Sequence, residues 1–165
     1  MKLRTGTLID IPAIQTIAQA TWPVAYYPHI LGKEQLAYML DLLYSAEALR
    51  TAFLEKDQRF LMLEGPEAPV GFASYTPNYR QAGVAHLNKL YVLPSTQGTG
   101  AGKALLDRVI AEARILGTRS LELNVNKHNP AVAFYRHQGF RIKQDEVIDI
   151  GRGYVMDDHV MELIL

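Results

Sequence analysis

A glycine-rich turn near the middle of the chain has the residue types of an anion-binding site. Residues 97–103 read Gln-Gly-Thr-Gly-Ala-Gly-Lys, between an apolar run that reaches Val92 and an amphipathic segment that begins at Gly100. Glycine weakens a helix start unless the backbone takes a positive φ or approaches a ligand closely. A helix N-terminus exposes unpaired N–H groups and the positive end of the helix dipole, and Lys103 adds a charge beside it. The turn predicts a phosphate site, with a tight strand-to-helix connection as the alternative.

Two familiar phosphate-binding motifs do not fit this turn. A Walker A loop requires Gly-x-x-x-x-Gly-Lys-Ser/Thr, but Gly98 and Gly102 are only four positions apart and Ala104 follows the lysine. A dinucleotide-binding fingerprint requires Gly-x-Gly-x-x-Gly near the first strand, whereas this turn lies at mid-chain with glycines at alternate positions. The spacing therefore excludes a P-loop and argues against a Rossmann site.

A second block after the turn completes a recognisable pattern. The turn itself carries Gln97-x-x-Gly100-x-Gly102, and an alternating apolar and polar strand follows its helix. Residues 129–140 then read Asn-Pro-Ala-Val-Ala-Phe-Tyr-Arg-His-Gln-Gly-Phe. In this order and spacing, the two blocks resemble the coenzyme A signature and the following helix of the Gcn5-related N-acetyltransferase superfamily. The strong resemblance covers residues 86–140.

The resemblance implies an α/β fold with a mixed, mostly antiparallel central sheet flanked by helices, whose splayed strands hold acetyl-CoA. It assigns strand backbone groups to the pantetheine arm, the glycine turn to the pyrophosphate, and two later side chains to the arm. The cofactor-binding residues so implied are, in that order, Leu90, Tyr91 and Val92; Gln97, Gly98, Thr99, Gly100, Ala101, Gly102 and Lys103; and Asn129 and Phe134. The Val92 N–H is also a candidate donor to the thioester oxyanion. For Asn129, a simple helix cap is the alternative.

Tyr135 matches the tyrosine that often protonates the departing thiolate in this superfamily. A phenol with a pKa of about 10 is a proton donor at neutral pH, and a packed aromatic side chain is the alternative. The base departs from the family pattern, because relatives often carry a glutamate on the strand where this chain has His86 and Asn88. We expect His86 to act as a base directly or through water, or else to be structural. We expect Asn124 to orient the amine or a water, and the base stays unassigned.

Aromatic and acidic residues outside the signature bear on the acceptor. Trp22, Tyr26 and Tyr27 lie in or beside a proline-bounded segment and are predicted to line an acceptor pocket. Residues 144–165 have a net charge of −5. A cationic amine would suit this tail by charge and the rings by cation–π attraction. A loose similarity of residues 153–162 to the end of bacterial spermidine/spermine acetyltransferases makes a polyamine one candidate.

Composition excludes several classes of protein. The 165 residues contain 17 Lys and Arg against 17 Asp and Glu, 48% hydrophobic residues and no cysteine. The balanced charge argues against nucleic-acid binding, although residues 86–143 have a net charge of +6 that would attract phosphates. The lack of cysteine excludes disulfides and thiolate chemistry. Because no apolar run is long enough for a membrane span or a leader, the expected location is the cytoplasm.

A metal site is not expected. Asp157, Asp158 and His159 are adjacent, which suggests a ligand cluster at first sight. Neighbouring residues on a strand point to opposite faces, however, and no other side chains complete a ligand spacing.

The elements that must position these residues form one domain over residues 1–165. The pattern predicts the order β, three helices, β-β-β, α, β, α, β-β. We expect a loop over residues 23–32, because Pro23 and Pro28 interrupt helices. The clearest helix runs from Gly100 to Leu116, with an apolar stripe and a glycine after its end.

These features predict an acetyl-CoA-dependent N-acetyltransferase that moves acetyl directly to a primary amine of a small molecule. The lack of cysteine favours direct attack in a ternary complex over a covalent enzyme intermediate. Two alternatives stay open, a catalytically silent coenzyme A-binding regulatory module and a protein or peptide N-acetyltransferase. No metal, nucleic-acid or membrane partner is expected, and the exposed edges of the closing strands would support a homodimer.

Overall fold

The computed structural model describes residues 1–165 and has a single seven-stranded sheet with the order β1-β2-β3-β4-β5-β7-β6. The strands are β1 (Lys2–Thr5), β2 (Arg59–Glu64), β3 (Pro69–Thr76), β4 (Val84–Val92), β5 (Ser120–Asn126), β6 (Arg141–Gly151) and β7 (Tyr154–Ile164). The helices are α1 (Ile11–Tyr26), α2 (Lys33–Tyr44), α3 (Ala46–Glu55), α4 (Ala101–Ile115) and α5 (Ala131–His137). Only the β4–β5 pair is parallel. The predicted mixed, mostly antiparallel sheet flanked by helices is confirmed.

Two apolar cores lie on opposite faces of the sheet. One core packs α4 and α5 against the sheet through residues such as Leu105 and Leu123. The other packs α1, α2 and α3 through residues such as Ile14 and Met39. Because strand side chains alternate between faces, β2, β3, β4 and β7 contribute to both cores. We refer below to the α4–α5 face and the α1–α3 face.

Strand β4 bends at its middle. Ser74 of β3 pairs with Lys89, but the next residue, Tyr75, pairs with Leu87, which leaves Asn88 as the extra residue of a β-bulge. A bulge increases the local twist and redirects the side chains on either side of it. Strand β4 is therefore bent at the point where it leaves β5.

The predicted loop over residues 23–32 is wrong in its first part. Helix α1 continues through Pro23 and ends at Tyr26. A proline removes one hydrogen bond, here to Gln19, and the side chains of buried Trp22 and partly buried Tyr26 keep the last turn packed on the sheet. Tyr27 is extended, as expected for a residue that precedes a proline.

No helix of the chain has both the length and the apolar character needed to cross a membrane.

Candidate functional site

Strands β4 and β5 separate to form a wedge. Their parallel ladder runs from the Val84–Ser120 pair to the Leu87–Leu123 pair and then stops. Beyond it, residues 88–92 of β4 have a strand partner only on the β3 side. We call the gap between residues 88–92 and residues 124–126 the wedge. An unpaired strand edge inside a sheet offers backbone donors and acceptors to an extended ligand.

Strand alternation decides which backbone groups face the wedge. Leu93 N donates to Val70 O at 2.8 Å, so the Tyr91–Phe72 pair is the next hydrogen-bonded pair along this antiparallel ladder. The backbone of Tyr91 is therefore turned toward β3. The backbone groups of Leu90 and Val92 point to the wedge, so they are free for the pantetheine contact predicted for them. The main-chain contact predicted for Tyr91 is not supported.

The glycine turn presents a run of free donors. No backbone N–H from Gly98 to Lys103 has a hydrogen-bond partner, and the first bonded amide of α4 is Ala104, which donates to Gly100 O at 2.9 Å. Gly98 and Gly100 have φ values of +78° and +84°, and nothing lies within 4 Å of a Cβ built on either residue. Positive φ and open space are what close approach of a ligand to the backbone requires. Residues 98–103, called the cradle below, fit a pyrophosphate group.

Side chains around the cradle complete its surroundings. Phe134 and Leu90 both lie 3.8 Å from a Cβ built on Gly102, so they flank the turn where it meets the wedge. Lys103 is exposed and forms an ion pair with Asp107 at 2.6 Å. Its ammonium group is therefore paired with a carboxylate of the next turn of α4. Gln97, the last residue before the cradle, is exposed as well.

Asn129 has two partners. Its Oδ1 accepts from Ala131 N at 2.9 Å, which caps the start of α5, and its Nδ2 donates to the Tyr26 hydroxyl at 3.4 Å. The capping alternative is confirmed. The side chain also forms part of the cavity wall described next, so capping and a place at the pantetheine arm are compatible.

A cavity of about 70 Å³ lies at the narrow end of the wedge. It is lined by Tyr26, Leu87, Asn88, Lys89, Leu90, Tyr91, Leu123, Asn124, Asn129, Ala131 and Tyr135. Four elements and the loop before α5 contribute to this wall.

Tyr135 is buried in the wall of this cavity. Its hydroxyl makes no hydrogen bond within the protein, so its proton is free for a ligand. Burial raises the pKa of Tyr135 above its ordinary value, and the nearby Tyr26 raises it further. The phenol therefore keeps its proton throughout the neutral range, as a proton donor to a thiolate must.

A chain of hydrogen bonds fixes the role of His86. Asn124 Nδ2 donates to Glu146 Oε2 at 2.8 Å, so Asn124 Oδ1 accepts from His86 Nε2 at 3.0 Å. His86 Nδ1 then accepts from Asn88 Nδ2 at 3.2 Å, and Asn88 Oδ1 accepts from Thr76 Oγ1 at 2.9 Å. Burial lowers the pKa of His86, which keeps the ring neutral. With both nitrogens engaged, this geometry favours His86 as a residue that positions Asn124 over direct proton abstraction.

Of the three predicted acceptor residues, only Tyr26 lines the cavity. Its hydroxyl lies 3.1 Å from that of Tyr91. Trp22 is 3% exposed and packs beneath Tyr26, with their ring centroids 4.7 Å apart. Tyr27 is 48% exposed and is not part of the wall. Trp22 therefore supports the wall from behind, and Tyr27 lies outside it.

Two charged residues near the cavity are not among the catalytic or binding residues predicted from the sequence. Lys89 lines the cavity, with Nζ 4.9 Å from the centre of the Tyr44 ring, and burial lowers its pKa to about 8. Asp158 on β7 is fully buried, and burial raises the pKa of this carboxyl to about 6. The alternation of β7 correctly predicts that Asp157 and Asp158 point to opposite faces. This alternation does not predict which face of the sheet contains the cavity.

Known proteins are similar to this chain in both sequence and structure. The profile of the acetyltransferase (GNAT) family matches residues 12–140. An uncharacterized N-acetyltransferase of Mycobacterium tuberculosis is 28% identical over 155 residues, which span 93% of this chain and 97% of that protein. The peptidyl-lysine N-acetyltransferase YjaB of Salmonella typhimurium is 32% identical over 120 residues, or 72% of each protein.

One solved structure has the same architecture over almost the whole chain. The PaiA N-acetyltransferase of Thermoplasma acidophilum, crystallised in complex with coenzyme A, superimposes with a TM-score of 0.82 at 22% sequence identity. The match covers 99% of this chain and 98% of that one. At this identity the similarity establishes the fold.

Proposed function

This chain belongs to the acetyltransferase (GNAT) family, and on that premise we propose that it moves an acetyl group from acetyl-CoA directly to the primary amine of a small molecule. Family membership makes the chain an acyltransferase. Whether the acceptor is a small molecule or a protein is argued below from the geometry of the α1–α3 face.

The observation that carries the proposal is a bridge between α2 and the β6–β7 hairpin. Tyr38 Oη donates to Ile150 O at 2.6 Å, and Gln35 Nε2 donates to Val155 O at 3.3 Å. The guanidinium of Arg152 lies 4.7 Å from the centre of the Tyr38 ring. We call these contacts the bridge.

The bridge limits the size of what can reach the cavity. Ile150 and Met156 of the hairpin pack against the core of the α1–α3 face, and strand alternation puts Asn124 on that same face. Helix α2 and the hairpin therefore meet over the side of the sheet that an acceptor must approach. A folded protein surface would have to separate them, whereas a small amine would not.

The residues of the chain divide the reaction between them. Acetyl-CoA, when bound, supplies an acetyl thioester that an amine nitrogen can attack. The cradle N–H groups hold the pyrophosphate, and the backbone of Leu90 and Val92 orients the pantetheine arm. The Val92 N–H points to the wedge and is the donor that we assign to the developing oxyanion. Tyr135 supplies a proton to the leaving sulfur.

A peptide lysine is the second candidate acceptor. It is favoured by the 32% identity to a protein named as a peptidyl-lysine N-acetyltransferase. A lysine side chain also presents an unbranched primary amine to a narrow cavity. It differs from a free amine in the bulky backbone behind it, which the bridge would obstruct.

A competition between acceptors tests the proposal. Purified protein with acetyl-CoA is given ethylamine, spermidine, free amino acids or an N-terminally blocked lysine peptide, and thiol release is followed. We expect kcat/KM for the best free amine to exceed that for the peptide by at least about 10-fold, or about 1.4 kcal/mol. The reverse order would assign the site to peptides. Binding of acetyl-CoA without thiol release from any acceptor would contradict transfer.

The same panel addresses the polyamine candidate. If a simple amine is acetylated and spermidine is not, the polyamine hypothesis is wrong.

A further inference from the structure

Asp158 is a buried carboxylate without a partner. Its relative exposure is 0%, and neither carboxylate oxygen has a hydrogen-bond partner in the protein. Aspartate is almost never fully buried unless it is paired, because burying an unpaired charge costs several kcal/mol. Because this carboxylate destabilises the fold, we expect it to have a role in binding or catalysis.

The neighbouring basic side chains do not compensate this charge. Lys127 pairs with Asp157 at 2.8 Å and with Asp145 at 3.2 Å. His159 also bonds Asp145, at 2.6 Å. Asp157 and His159 are the immediate neighbours of Asp158 on β7. Because successive side chains on a strand point to opposite faces, these pairs lie on the face opposite to Asp158. Lys89, the cation in the cavity wall, lies against the Tyr44 ring. A cation that compensates Asp158 must therefore come from outside the chain.

Asp158 lies just behind the wall of the cavity. It is opposite Asn126 of β5 and Glu146 of β6 in the sheet. Alternation puts it on the α1–α3 face with Asn124, and Asn124 is close enough to favour its charged form. Its charge in turn raises the pKa of Tyr26. Asn124 and Tyr26 are wall residues, so only this layer separates Asp158 from the acceptor.

Resting on the proposed transfer to an amine, we propose that Asp158 attracts the ammonium group of the acceptor across this layer and takes its proton through a bridging water before attack. The positive charge of the bound ammonium group gives the carboxylate the compensation that the fold does not supply. The site therefore selects acceptors that are cationic in water.

The proton and electron balance is complete without a further reactant. Through the bridging water, Asp158 gains one proton and the ammonium group loses one, which leaves a neutral amine. The amine lone pair forms the new bond to the acetyl carbon as the carbon–sulfur bond breaks. The sulfur takes a proton from Tyr135, and the second proton lost by the nitrogen returns to Tyr135 directly or through water. Asp158 then releases its proton to solvent.

The pH dependence follows from every charged group near Asp158. Burial raises the pKa of Asp158 to about 6, the charges of Glu146 and Asp157 raise it as well, and His159 lowers it. Tyr26, the titratable group from α1, is neutral in this range. The base is active when deprotonated, so kcat/KM for a cationic amine falls as the pH drops through about 6.

Two acceptors of the same size separate this role from a structural one. Ethylamine is protonated at neutral pH, whereas methoxyamine is already neutral and needs no base before attack. Asp158→Asn keeps the side-chain shape and removes the charge. We expect it to lower kcat/KM for ethylamine by at least about 100-fold, to lower that for methoxyamine by less than about 5-fold, and to abolish the acidic fall in the pH profile. Binding of acetyl-CoA, measured by calorimetry, stays unchanged.

Asp157→Asn is the matched control, because Asp157 is the adjacent carboxylate on the opposite, exposed face. It is expected to act as the wild type on both amines. If Asp158→Asn also acts as the wild type, or loses both amines equally, the role assigned to Asp158 is wrong while the proposed function stands. If the wild type binds acetyl-CoA but acetylates no amine, the proposed function itself fails, and this inference fails with it.

Discussion

The proposed cofactor side and the proposed acceptor side of the wedge are built by different means. The cradle consists of consecutive residues, 98–103, and acts through backbone N–H groups. The proposed acceptor side takes single side chains from α1 and β5, Tyr26 and Asn124, with Glu146 of β6 and Asp158 of β7 behind them. A backbone site depends on local conformation, so it tolerates changes in most side chains. A site made of distant side chains depends on each of them, and acceptor specificity can change while cofactor binding is kept.

Breaking the backbone geometry of the cradle is expected to have the largest effect. Gly100→Val places a β-branched residue at a φ of +84°, where L-residues are strained, and shields the neighbouring amides. Losing one or two hydrogen bonds to a charged group, each worth about 1.5 to 3 kcal/mol, weakens coenzyme A binding by about 100-fold. Calorimetric titration with coenzyme A measures this loss.

Gly117→Ala is the control for strain alone. Gly117 follows the other end of α4, has a φ of +73° and has open space around it. This variant is expected to lose stability and to keep its affinity for coenzyme A. Unchanged affinity in Gly100→Val would remove the cradle from the cofactor site.

An intermediate effect is expected at Tyr135, where the two sides meet. Tyr135→Phe removes the proton donor and keeps the packing, so kcat is expected to fall by about 10- to 100-fold, at the low end for general acid catalysis because a thiolate leaves readily. The affinity for acetyl-CoA is expected to change little. Steady-state kinetics over a pH series measures both values.

The control is another buried tyrosine. Tyr75 is a core residue whose hydroxyl bonds Glu112 at 2.8 Å, away from the cavity. Tyr75→Phe is expected to keep its kcat. Equal losses in both variants would mean that the effect is one of packing and not of proton donation.

The smallest effect is on stability and concerns the acceptor side. The folded-state pKa of Asp158 is raised from 3.8 to about 6, so its charged form destabilises the fold at neutral pH. Asp158→Asn is expected to stabilise the protein by roughly 1 to 3 kcal/mol at pH 7, which raises Tm by about 3 to 10 °C. Scanning calorimetry measures the change.

The sign of the pH dependence checks this explanation. The folded carboxyl takes up its proton at about pH 6, and the unfolded carboxyl only near its ordinary pKa of 3.8. The stability difference between Asp158→Asn and the wild type is therefore full at pH 7 and disappears as the pH falls below about 4. A difference that grows on acidification would show that Asp158 has a hidden partner in the fold.

Features built from consecutive residues could be predicted from the sequence, and features built from distant side chains could not. The cradle could be predicted because glycine spacing, a helix start and a preceding strand are all local signals. The order of elements could be predicted for the same reason. The partnerless state of Asp158 could not, because it depends on where Lys127 and His159 point after folding. The bridge between Tyr38 and Ile150 joins residues 112 positions apart and has no local signal.

One error had a local cause. Pro23 is a helix breaker in isolation, and the sequence therefore predicts that α1 ends before it. Packing of Trp22 and Tyr26 against Tyr91 outweighs the one lost hydrogen bond. The continued helix is what brings the hydroxyl of Tyr26 to the cavity.

The short ladder between β4 and β5 also has a mechanical consequence. Only four residue pairs, from Val84–Ser120 to Leu87–Leu123, connect the half of the sheet that contains β1 to β4 with the half that contains β5 to β7. The two halves are joined by this ladder at one end and are separated by the wedge beyond it. A pantetheine arm bound in the wedge would act as an additional strand between the two halves. Cofactor binding would therefore stiffen the whole sheet and slow amide hydrogen exchange at Leu90 and Val92.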